Sequence, residues 1–220
     1  MIMQWSVGKP KRLPFRGIIV LIVLCGAAPM GPVNTSSAQS LDHGKPENHR
    51  GEDETERALP DCVVLTQDGR AVRFYSDLVK DRIVVINFLF TSCNFTCPMQ
   101  GGNFSRLQDA LGERLGKDVH LITISTDPLT DTPERLKAWG VKFGAKPGWT
   151  LLTGNKPDIE SVLISLTGAI PGRQEHTPEL LIVNGHSGER IRMYGLAEPE
   201  RLVSRIDKLI ADRLPHDRQR

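Results

Sequence analysis

The sequence predicts an α/β fold: a central mixed sheet with helices on both faces and an N-terminal β-hairpin. Three observations favour this class. Short β-branched runs alternate along the chain with segments whose apolar residues recur at helical spacing. One run, from Ile83 to Phe90, is nearly continuously apolar, which is typical of a central strand buried on both faces. Turn signals at Asp68-Gly69 and from Gly185 to Gly188 indicate a hairpin near each end of the domain.

Residue type and spacing predict each element in turn. The first hairpin spans Val63 to Val72, and the central strand Ile83 to Phe90 follows it. The later elements are a helix after Pro98 with Phe104, Leu107, Leu111 and Leu115 at helical spacing, a strand from Val119 to Ser125, a helix opened by Asp131-Thr132-Pro133-Glu134, a short strand near Trp149 to Leu152, a helix with Ile159, Val162, Leu163 and Leu166, strands at Leu180 to Val183 and Arg190 to Tyr194, and a last helix with Leu202, Ile206, Leu209 and Ile210. Thr132 or Asp131 can cap the second helix.

Residues 1–38 are predicted to be a signal peptide or a membrane anchor. A basic stretch ending at Arg16 precedes about twelve apolar residues at 17–28. This is short for a bilayer span of roughly 20 residues and suits the core of a signal peptide. Small residues at Ser36-Ser37-Ala38 place cleavage near Ala38. We therefore expect an exported or periplasmic protein whose membrane contact is confined to the N-terminal segment.

Composition excludes several classes of protein. With 39% hydrophobic and 25% charged residues, the chain is neither disordered, collagen-like nor a multi-span membrane protein. Lys and Arg number 28 against 26 acidic residues, and four of the basic ones precede the first acidic residue, so no basic surface for nucleic acid is expected. Residues 39–57 are predicted to be a flexible polar tether, 58–214 the structured domain and 215–220 a charged tail. Nothing in the sequence demands more than a monomer.

Two cysteines follow directly on the central strand, in Phe90-Thr-Ser-Cys93-Asn-Phe-Thr-Cys97-Pro98. If Pro98 takes the first helical position, Cys97 lies at the cap and Cys93 one turn earlier, so that the two sulfurs approach each other. Amides at a helix N-terminus lower the pKa of a nearby thiol and favour thiolate. The pair can therefore close a disulfide or bind one soft metal. Three intervening residues make a wider loop than the C-x2-C redox motif, and soft sulfur suits copper.

An imidazole as third ligand would support Cu(II) as well as Cu(I), so the histidines matter. His176 lies in a polar loop directly before the strand that starts near Leu180. Taken alone, a loop histidine is usually just exposed, and its candidacy depends on its placement. The other five are in the tether, in a strand pattern, in a tight turn and in the tail: His43, His49, His120, His186 and His216.

Four segments, in order, resemble the Sco/SenC copper chaperones of the thioredoxin superfamily. They are Phe88-Leu-Phe-Thr-Ser-Cys93-Asn-Phe-Thr-Cys97-Pro98, Ser125-Thr-Asp127-Pro128-Leu-Thr-Asp131-Thr132-Pro133-Glu134, Trp149 with Leu152-Thr153-Gly154, and Glu175-His176-Thr177. The resemblance covers roughly Leu59 to Ile210. It implies a thioredoxin-like fold and a copper site made by Cys93, Cys97 and His176. It also implies that the protein delivers copper to the binuclear centre of a cytochrome c oxidase subunit, or keeps the cysteines of that or another copper or thiol protein reduced.

Enzymatic alternatives stay open. In a thiol-disulfide oxidoreductase, Cys93 would attack a partner disulfide as thiolate and Cys97 would resolve the mixed disulfide. A peroxidase would form a sulfenic acid at Cys93. Thr177-Pro178 resembles the proline, often cis, that faces the cysteines of redox-active thioredoxin-like proteins, although an ordinary trans proline starting a strand fits equally well. Cys62 is expected to be a buried free thiol.

Overall fold

The protein is described by a computed structural model covering residues 58–170 and 178–217, with side chains up to residue 211. The predicted signal peptide, the tether and His176 lie outside these residues. The strands are β1 (Val63–Thr66), β2 (Ala71–Arg73), β3 (Ile83–Leu89), β4 (Val119–Ser125), β5 (Trp149–Thr153), β6 (Glu179–Asn184) and β7 (Arg190–Tyr194), and the helices are α1 (Thr96–Leu111), α2 (Pro133–Lys142), α3 (Lys156–Thr167) and α4 (Pro199–Asp217). Within the described ranges, no helix is both long enough and apolar enough to cross a bilayer.

The strands form one mixed sheet in the order β2-β1-β5-β4-β3-β6-β7. β4 pairs in parallel with β3 and β5, and every other pair is antiparallel. All residues of β3 are buried, as its apolar run predicts. Gly69 has a φ of 73° in the turn between β1 and β2, a conformation that glycine adopts without strain. The predicted α/β class with an N-terminal hairpin is confirmed.

Helices cover both faces of the sheet. Alternate residues of β3 belong to separate apolar layers, because successive side chains of a strand point to opposite faces. Val85 and Leu89 pack in one layer with residues of α1, α2 and α4, whereas Val84 and Ile86 pack in the other layer with α3. Each such side chain, fully buried, contributes about 1.5–3 kcal/mol to stability, so the two layers together hold the helices on the sheet.

An aromatic group fixes α1 against α2. The ring centroids of Trp139 and Phe143 lie 4.3 Å apart, and the Trp149 indole donates a hydrogen bond to the Thr123 hydroxyl at 2.9 Å. A Cβ added at Gly101 of α1 would lie 2.7 Å from the Trp139 ring, so this glycine permits the close approach of the two helices. Trp139 and Trp149 belong to the core, and Phe143 packs against it.

Strand direction decides which residues meet beside the end of β3. β3 and β4 end together, with Leu89 opposite Ser125. β6 runs the other way, and Asn87 pairs with Leu180, so β6 begins at the edge where β3 ends. We call this edge the carboxyl edge of β3. The loop that carries Cys93 leaves the sheet there, beside the first residues of β6.

Candidate metal centre

Cys93 and Cys97 flank the start of α1. Cys93 is half-buried in the loop after β3, and Cys97 is fully buried. The prediction that Cys97 lies at the helix cap is wrong, because Phe95 is the N-cap and Cys97 is the second residue of α1. Pro98 is therefore the third helical residue. A proline is tolerated there because the first amides of a helix have no intrahelical partner.

The Cys93 sulfur substitutes for a capping side chain. Phe95 offers no side-chain hydrogen bond to the helix. Instead the backbone amide of Cys97 donates to the Cys93 sulfur at 3.4 Å, and the Thr96 hydroxyl lies 3.7 Å from the same sulfur. The three cysteines in the described residues are free thiols. One sulfur thus accepts a hydrogen bond from the first turn of the helix while the other is buried within that turn.

The two thiols have opposite acidities. Burial raises the pKa of Cys93, but hydrogen bonds from Cys97, Phe95 and Thr96 together outweigh it and lower this pKa to about 7. Burial, with the hydrogen bond to Cys93, raises the pKa of Cys97 to about 12. The lowering predicted for a helix N-terminus therefore holds for Cys93 only. Near neutral pH, Cys93 is partly thiolate and Cys97 keeps its proton.

Asp131 anchors the loop that carries Cys93. Its buried carboxylate accepts hydrogen bonds from the Thr91 amide at 3.1 Å, from the Thr91 hydroxyl and from the Ser125 hydroxyl at 2.7 Å. Of the two residues predicted to cap α2, Thr132 is the cap, and its hydroxyl accepts from the Arg135 amide. Sequence reasoning missed this anchor, since Asp131 and Thr91 are forty residues apart and only strand pairing brings them together.

The histidines whose side chains are described lie far from the two cysteines. His176 lies outside the described residues, as does the side chain of His216. His120 pairs with Val84 near the start of β3, and burial followed by the charge of Arg82 lowers its pKa. His186 contacts Asp81 at 3.3 Å, also at the far end of the sheet. Neither of these two histidines is at the carboxyl edge of β3. No group of three or more His, Cys, Asp or Glu side chains able to hold a metal occurs among the described residues.

Pro178 precedes β6 at the same edge as the cysteine loop. Its carbonyl accepts a hydrogen bond from the Gly195 amide at 2.8 Å. The Thr177–Pro178 bond involves a residue outside the described range, so its cis or trans state stays a prediction.

The cysteine pair suits a soft metal or dithiol chemistry. Two sulfur atoms, one just before α1 and one in its first turn, are the ligands that Cu(I) prefers. The apolar side chains of Phe95 and Met99, two residues before and two residues after Cys97, are exposed by 77% and 51%. Cys62, also expected to be a free thiol, is half-buried and donates to the Asp158 carbonyl at 3.6 Å.

Comparison with known proteins identifies related chains. The sequence model of a family described as SCO1/SenC matches residues 51–210. A SCO1 protein homolog of Bacillus subtilis is 30% identical over 118 residues, which are 52% of this chain and 59% of that protein. The chain spans only about half to three fifths of the length of the first curated relatives that it matches.

Solved structures share the fold. BsSco, a member of the Sco family of cytochrome c oxidase assembly proteins, is 23% identical with a TM-score of 0.58, covering 69% of this chain and 93% of that one. ScoI of Bradyrhizobium japonicum, solved with copper bound, is 23% identical with a TM-score of 0.56, covering 69% of this chain and 99% of that one. Their fold agrees with the thioredoxin-like architecture that the resemblance implies.

Proposed function

The chain belongs to the SCO1/SenC family, and on that premise we propose that it is a copper chaperone. Its ligands are Cys93, Cys97 and His176, and it delivers the ion to the binuclear copper centre of a cytochrome c oxidase subunit. The observation that carries the proposal is the cysteine pair at the start of α1, with the Cys97 amide 3.4 Å from the Cys93 sulfur. Copper bound to ScoI of Bradyrhizobium japonicum and the oxidase assembly role of the BsSco family support the choice of metal and partner.

His176 completes the ligand set in this proposal. The chain enters β6 at the carboxyl edge of β3, and His176 precedes Pro178 by two residues in sequence. His120 and His186 belong to the opposite end of the sheet, so neither of these two competes with His176 for this role. Two thiolates with one imidazole suit both oxidation states of copper.

The acidities of the thiols set the order of events. Cys93, already partly ionised near pH 7, offers the first bond to incoming copper. Cys97 must lose its proton when it binds, so copper affinity should increase with pH. During delivery, thiols of the partner reach the half-buried Cys93 and replace the ligands one at a time, which moves the ion without releasing it to solvent.

Copper titration of the exported domain tests the proposal. The wild-type chain should bind one equivalent and develop a sulfur-to-copper charge-transfer band with Cu(II). Cys93→Ser and Cys97→Ser should abolish that band, and His176→Ala should weaken Cu(II) binding sharply, whereas His186→Ala serves as the matched control. An unchanged Cu(II) affinity for His176→Ala would remove the histidine from the site.

A second candidate function is thiol-disulfide exchange, favoured by the difference in pKa between the two cysteines. The Cys93 thiolate attacks a disulfide of the partner, and one partner sulfur leaves as a thiolate. Cys97 then attacks the mixed disulfide, which releases the second partner thiol and leaves a Cys93–Cys97 disulfide. Two electrons pass to the partner, and a dithiol reductant must restore the pair. Reductase activity that needs both cysteines and survives His176→Ala would favour this function over copper delivery.

The site of action in this proposal is the exported or periplasmic compartment, reached through the N-terminal segment with its apolar residues 17–28. Fractionation of cells that produce the tagged chain tests this. Recovery of the chain from the cytosol, with the N-terminus uncut, would contradict it.

A further inference from the structure

Gln100, in the first half of α1, is a buried polar residue whose side chain has no hydrogen bond to the described residues. Its side chain has 0% exposure, and neither its Nε2 nor its Oε1 has a hydrogen-bond partner within the described residues. Burying both a donor and an acceptor without partners disfavours the folded state, and such groups in native proteins need an explanation. An apolar side chain of similar size would fit the same space without this penalty.

The other two amide side chains of α1, Asn103 and Gln108, have hydrogen-bond partners. The Gln108 side chain donates to the Gly144 carbonyl at 2.8 Å and accepts from the Lys146 amide at 3.1 Å. The Asn103 side chain donates to the carbonyls of Gly195 and Ala197, at 3.3 and 2.9 Å. Gln100 therefore differs from the other buried amide side chains of this helix, which do have partners.

The position of Gln100 connects the cysteine turn with the start of β6. It follows Cys97 by three residues, a spacing that places two side chains side by side on one helix face. A Cβ added at Gly195 would lie 2.7 Å from Gln100 Nε2 and 2.9 Å from the Pro178 carbonyl carbon. Gly195 is thus the residue that makes room for the carboxamide, next to the backbone pair that Gly195 forms with Pro178.

A second unpaired group lies on the same side of the sheet. Asn87 lies between Val85 and Leu89 on the same face of β3, because every second side chain of a strand points to the same side. Val85 and Leu89 pack in the apolar layer that contains Cys97. The Asn87 Oδ1 accepts from the Thr123 hydroxyl at 2.7 Å, but its fully buried Nδ2 has no partner among the described residues. The layer beneath Cys97 therefore contains more than one unused hydrogen-bonding group.

We propose that Gln100 is a positioning residue of the copper site: its carboxamide, which has no hydrogen-bond partner among the described residues, donates to the Cys97 sulfur when copper is bound. This inference rests on the proposed copper binding. Ligation converts the Cys97 thiol into a thiolate, which accepts hydrogen bonds. Groups that donate to a ligating atom are typical of metal sites, and their loss usually lowers affinity by 10- to 100-fold. In the absence of copper, the unpaired carboxamide of Gln100 makes the folded chain less stable than an apolar side chain at this position would.

The test compares wild type, Gln100→Leu and Gln108→Leu. Leucine avoids the thioether that methionine would add beside a copper site. Two quantities are measured for each chain: the thermal midpoint without metal, and the Cu(I) affinity in competition with a chromophoric Cu(I) chelator. Gln100→Leu should raise the midpoint by about 2–4 °C and weaken Cu(I) binding about tenfold. The matched control Gln108→Leu, about three helical turns from Cys97, should lower the midpoint and leave Cu(I) affinity unchanged.

The outcomes separate the two proposals. If wild type binds Cu(I) and Gln100→Leu binds it equally tightly, the role of Gln100 is overturned. The same holds if Gln100→Leu without metal melts at a lower temperature than wild type. Either result leaves the proposed copper binding intact. A wild-type chain that fails to bind Cu(I) overturns the proposed function, and the role of Gln100 with it.

Discussion

Two half-buried cysteines near helix starts have opposite acidities. The Cys93 sulfur accepts a hydrogen bond from the first turn of α1, and its pKa falls to about 7. The Cys62 thiol donates to the carbonyl of Asp158 in the first turn of α3, and burial, followed by the charge of Asp158, raises its pKa. Proximity to a helix N-terminus therefore does not by itself make a thiol acidic.

The missing side-chain cap of α1 explains the lowered pKa of Cys93, whereas Cys62 contacts a carbonyl of a helix that is already capped. Asn155 caps α3, and its side chain accepts from the Asp158 amide at 2.9 Å. In α1 the N-cap is Phe95, which has no acceptor in its side chain, so the Cys97 amide donates to the Cys93 sulfur instead. A thiolate is stabilised by amide donors that are still available, and a capping side chain removes them.

Alkylation rates should separate the two cysteines most clearly. At pH 7, about half of Cys93 should be thiolate, against less than about 1% of Cys62, although the lower pKa also makes the Cys93 thiolate a weaker nucleophile. We expect Cys93 to react with iodoacetamide roughly tenfold faster, as measured by mass spectrometry of the digested chain. Equal rates would contradict the opposite acidities of the two thiols. Cys62→Ser, as control, should leave the Cys93 rate unchanged.

Phe95→Asn should make α1 resemble α3. An asparagine at the N-cap can accept from the Cys97 amide and compete with the Cys93 sulfur, without adding a charge. The pKa of Cys93 should rise by about one unit, which lowers its thiolate fraction at pH 7 about fivefold. Thiolate absorbance near 240 nm, followed against pH, measures this. Phe95→Leu has no acceptor and should keep the wild-type titration.

Asn155→Ala removes the cap of α3. The amide of Asp158 loses its acceptor, and we expect a loss of about 1 kcal/mol in the free energy of unfolding. Chemical denaturation of the metal-free chain measures this loss. Because the Cys62 thiol contacts a carbonyl and not this amide, its alkylation rate should stay within about twofold of wild type. A large increase in that rate would mean that the cap alone suppresses the acidity of Cys62.

Stability should depend on pH through the cysteine site. The pKa of Cys93 is lower in the folded chain than its ordinary value of 9.0. Its contribution to the free energy of unfolding is therefore complete above pH 9 and disappears as the pH falls to about 7. Since the thiol is only half-buried and water screens it in part, we expect only about 1 kcal/mol of additional stability between these values. The raised pKa of Cys97 acts in the opposite sense, with stability lost between about pH 9 and 12. Denaturation of Cys93→Ser should lack the increase between pH 7 and 9.

Local patterns predicted the elements well. The β-branched run from Ile83 is central because almost every residue of it is apolar, and Asp68-Gly69 forms the predicted turn between β1 and β2. Burial of those side chains dominates the local free energy, so neighbours in sequence suffice to identify the element. The cysteine pair at the end of β3 was equally evident from spacing. The start of α1 was placed two residues late, because helix boundaries depend on small differences between capping groups.

Contacts distant in sequence were the part that spacing could not predict. Asp131 holds Thr91 across forty residues, and Gln100 lies beside Gly195 across ninety-five. The opposite acidities of Cys93 and Cys97 likewise depend on which sulfur the packing buries.

The sequence by itself determined the α/β class, the order of the elements and the two thiols that follow the central strand, because periodicity and turn chemistry act between near neighbours. Only the tertiary structure decided which thiol is acidic, what anchors its loop and which buried amide lacks a partner. Those properties depend on solvent exclusion and hydrogen-bond geometry, and both arise only when distant segments pack together.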